Sequence, residues 1–365
     1  MSTALVVGAG VVGLSIAREL ALRGWQVTVV DHNSPGESGA SAAESRILRC
    51  AYGARSRYAQ LTWTSVAHWR ELERETGESL FIPCGVLTFA SAGRPGPGWE
   101  EQSLATLHRL GIPAERLSPR EVARRFPAVG TEGLEFALYE PEAGVLRARR
   151  AVAALAASGQ AHGTRLIRGK ARPDGAGVRI DGTEHRADLV VWAVGTALPA
   201  LFPELACGRA VSQLSYFLDS PALPCGPGVP AWLNLGRAMY GIGALSSAGV
   251  KVVPDVEAPT EAPAGAATEA PTDLPPSARA YLRRRFPALG EAPVRTVETC
   301  GYTATRDEEF IVGRHPADPH VWLVGGDSGH GFKNAPAWGR YVCDAVEGKT
   351  SVHPRWQLRR PAATR

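Results

Sequence analysis

Ala4-Leu5-Val6-Val7-Gly8-Ala9-Gly10-Val11-Val12-Gly13 is an apolar run that breaks into a glycine-spaced turn, and the next apolar run, Trp25-Gln26-Val27-Thr28-Val29-Val30, ends on Asp31. The pattern predicts a strand, a helix over Val12–Arg23 stopped by Gly24, and a second strand closing a βαβ unit. Such a unit is a dinucleotide grip. Gly8 permits the tight turn, Gly10 lets backbone approach a pyrophosphate, and Gly13 lets the helix lie close to the strand. The helix start at Val12 offers unpaired N–H groups to the anion, and Asp31 takes a ribose hydroxyl. An acid there suits a free 2′-hydroxyl, which points to NAD or FAD rather than NADP. The plain alternative is a glycine-rich turn that only packs, and the flanking strand, helix and acid count against it.

Composition narrows the class. The 365 residues suffice for two domains with sizeable cores, and 44% hydrophobic with 21% charged residues is ordinary for a soluble globular chain. The net charge of +4 is spread over scattered arginines, so nothing argues for nucleic acid, and Arg283-Arg284-Arg285 reads as a solvated helix end. No uninterrupted apolar stretch of about 18 residues is present, so no membrane span is expected. The N-terminus lacks a basic n-region and makes sense as strand and helix, which leaves the cytoplasm as the expected compartment. Cys50, Cys84, Cys207, Cys225, Cys300 and Cys343 show no metal-ligand spacing, so reduced thiols and no structural zinc are expected.

Further along, Arg57–Thr76 has a helical pattern, 79–89 reads as two short strands around Gly85, and a helix is expected near Gln102–Leu110. A strand pair follows around Phe136–Leu146, then a helix over Arg150–Ala157 and strands around Arg165–Lys170, Val178–Asp181 and Asp188–Val194, the last ending in an Ala193-Val194-Gly195 turn. Strands near Ser212–Leu218, Ala231–Leu235, Met239–Ile242 and Gly249–Val253 suggest a largely antiparallel sheet. Residues 257–276, rich in Pro, Ala, Thr and Glu, read as a solvated loop. A second strand ends in Gly325-Gly326, and Asp327-Ser328-Gly329-His330-Gly331-Phe332-Lys333 leads into a helix over Ala337–Val346. A strand, glycine turn and helix again set backbone N–H groups at a positive dipole end.

These features together resemble the amine-oxidising flavoproteins that include D-amino acid oxidase and sarcosine oxidase. The pattern is similar to that of monomeric sarcosine oxidase and N-methyltryptophan oxidase. The similarity runs over nearly the whole chain. It is carried by Gly8–Gly13 with Asp31, Arg46-Ile47-Leu48-Arg49 before Ala51-Tyr52-Gly53, Cys300-Gly301-Tyr302-Thr303, Asp307–Ile311 and Ser328–Lys333. The resemblance implies an α/β fold in which an FAD-binding Rossmann-type domain (1–78, 145–207, 296–365) is interleaved with an antiparallel-sheet, α+β substrate domain (79–144, 208–295).

It also implies roles. The cofactor would be FAD, held by Gly8, Gly10, Val12, Gly13, Asp31, Arg46, Ala193, Gly195, Gly326, Ser328, Gly329, His330, Gly331, Phe332 and Lys333, and bonded covalently to Cys300 through a thioether. A thiolate is a sensible nucleophile toward an oxidised flavin. Arg49 and Lys333 match the pair that holds a substrate carboxylate, and Lys251 matches the lysine beside flavin N5 that promotes reaction with oxygen. Lysine usage agrees: Lys170, Lys251, Lys333 and Lys349 are the only lysines among 40 basic residues, and two of them fall on these positions. Tyr240 and Tyr302 are candidate pocket walls, or plain core packing.

The pattern also departs from sarcosine oxidase. Ser41-Ala42-Ala43 stands where that enzyme has paired histidines, and Asp255 stands near the position of a pocket histidine. The expectation is therefore an FAD-dependent oxidase of a secondary or cyclic amino acid other than sarcosine, producing an imine and hydrogen peroxide. Its partners would be that small molecule and O2, with no nucleic acid and no membrane, the chain acting as a monomer. A dehydrogenase that uses an electron carrier, an NAD enzyme and a flavin-binding protein without turnover remain as alternatives.

Overall fold

Alternate residues of the first strand, Thr3–Val7, serve two different cores. Ala4 and Val6 join one apolar cluster and Leu5 and Val7 another, the period of two that a strand buried on both faces requires. A computed structural model of the chain describes residues 1–91, 98–175, 177–220, 223–256 and 273–358. In it Thr3–Val7 lies in a six-stranded sheet of order Ile311–His315, Asp318–Gly325, Leu189–Trp192, Thr3–Val7, Gln26–Asp31, Arg165–Arg168. All neighbours run parallel except the edge strand Ile311–His315. Helices Val11–Leu22, Ser56–Thr76, Ala148–Ala161 and Ala335–Val346 pack together in the core on one face. The other face is covered by Val178 and Ile180 of a three-stranded antiparallel meander and by Leu198 and Phe202. The N-terminal reading of strand, helix and strand matches these elements to within a residue at either end.

The second sheet has eight strands, in the order Val294–Ala304, Arg209–Leu218, Val250–Pro254, Met239–Ile242, Ala231–Asn234, Val86–Ser91, Leu134–Glu140, Glu115–Leu117. Its pairings are antiparallel but for Ala231–Asn234 beside Val86–Ser91. Three short strands, Ser45–Leu48, Gly144–Arg147 and Phe81–Ile82, make a further small sheet.

Several sequence readings need correction. Leu134–Glu140 and Gly144–Arg147 are two strands, but not a pair, because they join different sheets. Gly144 explains it: a Cβ there would stand 2.0 Å from the Ile82 carbonyl oxygen, so glycine lets the second strand press against 82–84. The strand Val294–Ala304, paired with Arg209–Leu218, runs across residue 296. Of the loop expected over 257–276, residues 257–272 lie outside the described residues, and Pro276 begins the helix Pro276–Arg285. In the arginine run at the end of that helix, Arg283 and Arg284 face solvent, paired with Glu291 and Glu132. Arg285 instead is buried, over the Phe89 ring and bonded to the Gly130 carbonyl. Among the described residues no helix is long and apolar enough to cross a membrane, and no group of three or more His, Cys, Asp or Glu is arranged to hold a metal.

Candidate active site

The carboxyl ends of the parallel strands open onto a cavity of about 710 Å³, the place where an open α/β sheet binds ligands. That volume lies within the range of cofactor pockets, roughly 300–1,000 Å³. At one end its wall is Gly8, Gly10, Val12 and Asp31, with Ala193 and Gly195 alongside. At the other it is Arg46, Gln213, Tyr240, Cys300, Tyr302, Gly326, Gly329 and Phe332.

The grip is tightly built. Gly8 has φ +109°, and a Cβ on it would meet the Ala193 carbonyl oxygen at 2.4 Å. Asp31 accepts from the Ala9 and Asn33 N–H groups at 2.8 and 3.0 Å, locking the turn to the tip of the second strand. Ser41, the first residue of the Ser41-Ala42-Ala43 departure, accepts from the Val11 N–H at 3.0 Å across the helix start. Gly13 does not line the cavity. A Cβ there would stand 1.9 Å from the Gly8 carbonyl oxygen, which is the close helix–strand approach read from the sequence. Gly13→Ala is expected to cost about 1–3 kcal/mol through overpacking against backbone. A fall in melting temperature together with lower flavin occupancy after purification would register it, and an unchanged melting temperature would refute the packing role.

The far end joins charge to aromatic surface. The Arg46 guanidinium donates to Cys300 Sγ at 3.0 Å and stands 5.9 Å from the Phe332 ring centre; it is itself held by the Ala40 and Ser45 carbonyls. A cation against sulfur is the setting in which cysteine acts as a nucleophile. Asp327 also faces the cavity, held by the backbone of Gly329, Gly331 and Thr303, and burial pushes its carboxyl above the usual range. Lys251 is 3% exposed, on the strand Val250–Pro254, with Nζ 3.5 Å from the Ser45 carbonyl. Burial and the neighbouring Arg46 push its ammonium down to about 8, against the pull of Cys300, Glu298 and Glu44.

Two cations from distant parts of the chain meet on one ring. Arg49 stands 5.1 Å from the Tyr52 ring centre and 5.2 Å from that of Trp99, and Lys333 Nζ lies 4.8 Å from the same Tyr52 ring. Lys333 is buried, and burial with the charge of Arg49 lowers its ammonium well below the ordinary lysine value. Close by, buried Glu140 accepts from the Cys50 and Ala51 N–H groups at 2.6 and 3.2 Å through Oε2, while Oε1 has no partner among the described residues. Glu140 therefore grips the backbone directly after Arg49.

His330 behaves differently from its neighbours in the turn. Its ring stacks on Phe310 and meets Tyr52 and Tyr58 edge-on, with Nε2 3.0 Å from the Glu308 carbonyl and Nδ1 3.2 Å from the Tyr52 hydroxyl. The carbonyl only accepts, so Nε2 carries the proton and Nδ1 accepts from Tyr52. Burial and Lys333 push this imidazole down to about 3, so it is neutral. Ser328 binds Thr305 instead, and Gly331 leaves room for Asp327, whose Cβ would be 2.5 Å from an added Cβ. Ser328, His330, Gly331, Lys333, Arg49 and Lys251 are thus not among the cavity-lining residues.

Sequence reasoning missed Glu140, Gln213 and Asp327 as parts of this region. A carboxylate closing an otherwise apolar strand, Leu134-Glu135-Phe136-Ala137-Leu138-Tyr139-Glu140, was the one available signal for Glu140.

A family model described as FAD dependent oxidoreductase matches residues 3–345. Monomeric sarcosine oxidase of Bacillus sp. (strain B-0618) is 29% identical over 95% of this chain and 92% of its own length. N-methyl-L-tryptophan oxidase of Yersinia pestis (strain Pestoides F) is 28% identical over 95% of each. The crystal structure of glycine oxidase from Geobacillus kaustophilus superposes with a TM-score of 0.79 over 100% of both chains at 19% identity, a likeness of fold.

Proposed function

The chain belongs to the FAD dependent oxidoreductase family, and from that membership we propose that it is an oxidase of a secondary or cyclic amino acid, with its flavin tied to Cys300. The residues present suit FAD: a glycine turn with no room for side chains at Gly8, an acid at the second strand tip, and a cavity continuing to Cys300. When bound, the flavin supplies a hydride acceptor that turns a C–N bond into an imine and delivers the electrons to oxygen as hydrogen peroxide. The six unpaired cysteines agree with a reducing, cytoplasmic setting.

The observation that carries the substrate class is the convergence of Arg49 and Lys333 on Tyr52. Two cations side by side, Lys333 buried and Arg49 half-buried, repel, and an incoming carboxylate relieves both, so the pair is poised for an amino acid rather than a simple amine. A carboxylate fixed there orients the rest of the substrate toward the cavity end formed by Tyr240, Cys300 and Tyr302.

The test is a panel of N-alkyl and cyclic amino acids, each paired with the same amine lacking its carboxylate, scored by flavin bleaching and peroxide release. Lys333→Met is expected to raise KM for the amino acid by about 10–100-fold, the worth of one charge-assisted hydrogen bond, and to leave the carboxylate-free amine unchanged. Because burial lowers the Lys333 ammonium, carboxylate affinity should also weaken as pH rises and that charge is lost. Equal loss for both substrates would refute the clamp.

A further inference from the structure

Tyr240 enters the cavity wall from the strand Met239–Ile242, and its hydroxyl lies 2.8 Å from Gln213 Oε1. Gln213 is 6% exposed, lines the same cavity, and sits directly across the strand pair from Cys300. Its amide nitrogen is 2.5 Å from Oδ1 of Asp255, an exposed residue whose own N–H is anchored 2.6 Å from the Ala238 carbonyl.

These contacts admit one hydrogen-bond polarity. An ionised carboxylate only accepts, so Gln213 must turn its NH2 toward Asp255 and its carbonyl toward Tyr240. A carbonyl also only accepts, so Tyr240 must donate to it. The phenol has a single proton, and that proton is now committed. What Tyr240 has left for the cavity is an oxygen with lone pairs. Burial raises the phenol above its ordinary range, which keeps the proton in place for donation.

We infer that Asp255 and Gln213 hold Tyr240 as a fixed hydrogen-bond acceptor in the substrate pocket, so that the site selects amino acids bearing an N–H on the reacting nitrogen over their oxygen or fully alkylated counterparts. This rests on the amino acid oxidase reading above. Asp255 and Gln213 are positioning residues: neither needs to touch the substrate, and the information passes through the direction of two hydrogen bonds. The arrangement also gives a physical use to Asp255, the departure noted in the sequence. An exposed imidazole could donate or accept and would fix no polarity, whereas a carboxylate fixes it.

Two ring carboxylates of the same size test the inference, pyrrole-2-carboxylate with an N–H in the ring and 2-furoate with an oxygen. Their binding to the flavin-loaded protein is measured by calorimetry, which needs no turnover. Wild type is expected to favour the N–H ring by about tenfold, the worth of one hydrogen bond against one unpaired acceptor. In Asp255→Asn the polarity is no longer fixed: the new amide can donate to the Gln213 carbonyl as well as accept from its NH2, and in the turned-over arrangement the Tyr240 proton is freed toward the cavity. Pyrrole-2-carboxylate should then weaken while 2-furoate tightens, bringing the ratio to about twofold or below. Tyr240→Phe should abolish the preference without that gain for 2-furoate. Parallel weakening of both ligands in Asp255→Asn would show a merely structural role and overturn the inference, as would equal affinities in wild type. If wild type binds neither ring, the carboxylate-pocket reading fails and takes this inference with it; if it binds both and only the ratios disagree, the inference fails alone.

Discussion

Lys251→Met is expected to slow the reaction of the reduced, flavin-loaded protein with oxygen by about 10²–10³-fold, the usual cost of deleting one preorganised charge at a site where charge develops. Anaerobic reduction by the substrate should change by about threefold at most, since the carboxylate is proposed to bind at Arg49 and Lys333 and not at Lys251. Oxygen acquires negative charge as it is reduced, and a buried ammonium aligned beforehand stabilises that charge without reorganisation. Lys251 meets the requirement because it is almost wholly buried, and because Cys300 and Glu298 partly offset the repulsion from Arg46. Its ammonium is lowered to about 8. The sign follows: below that pH the lysine is charged and reoxidation is fast, and above it the charge is lost and the rate falls. Stopped-flow mixing with air-saturated buffer across pH 6–10 reads both effects. A Lys251→Met variant that reoxidises at the wild-type rate would remove Lys251 from oxygen chemistry, and slow reoxidation of the wild type itself would favour an electron carrier over O2.

The same lysine illustrates what a sequence carries and what it leaves out. Lysine at 251 could be singled out by the family resemblance and by the scarcity of lysines in this chain, but its lowered ammonium comes from burial in a strand between two others and from Arg46. Those neighbours are set by register, Phe217 opposite Lys251 and Gln213 opposite Cys300, and register is a property of the folded sheet. The first βαβ unit was legible because its signals are local: alternation in the strand, apolar spacing in the helix, glycine at fixed offsets. Glu140 was not, since what it grips lies about 90 residues away. The ring of His330 is a second case: it packs in an aromatic cluster of Tyr52, Tyr58 and Phe310, a placement that no local signal in the glycine turn announces.

Cys300→Ser is expected to convert a tethered cofactor into a freely released one. After acid precipitation the wild type should leave a yellow, fluorescent pellet; the variant should leave a colourless pellet and a yellow supernatant. The expectation starts from Arg46. Backbone carbonyls of Ala40 and Ser45 hold its guanidinium so that Nη2 donates to Cys300 Sγ, 3.0 Å away, while the guanidinium nears Phe332 on the cavity wall. Attachment would join Cys300 Sγ to the flavin methyl carbon with loss of the thiol proton and one methyl hydrogen, and the two electrons released would pass to oxygen. A serine hydroxyl in the same place is far less acidic and a poorer nucleophile, so the bond should not form. Arg46 can be separated from Cys300 by kinetics. Arg46→Met removes the cation and leaves the sulfur, so tethering should become slow rather than absent, with the yellow pellet growing over hours when the unattached protein is incubated with FAD in air. Arg46→Lys should recover only part of the rate, because one ammonium cannot satisfy two carbonyls and a sulfur with the geometry of a planar fork. A wild-type protein that releases all its flavin into acid would overturn the tether. The grip at Gly8, Gly10 and Asp31 would still stand, since the pyrophosphate end of the cavity is built independently of Cys300.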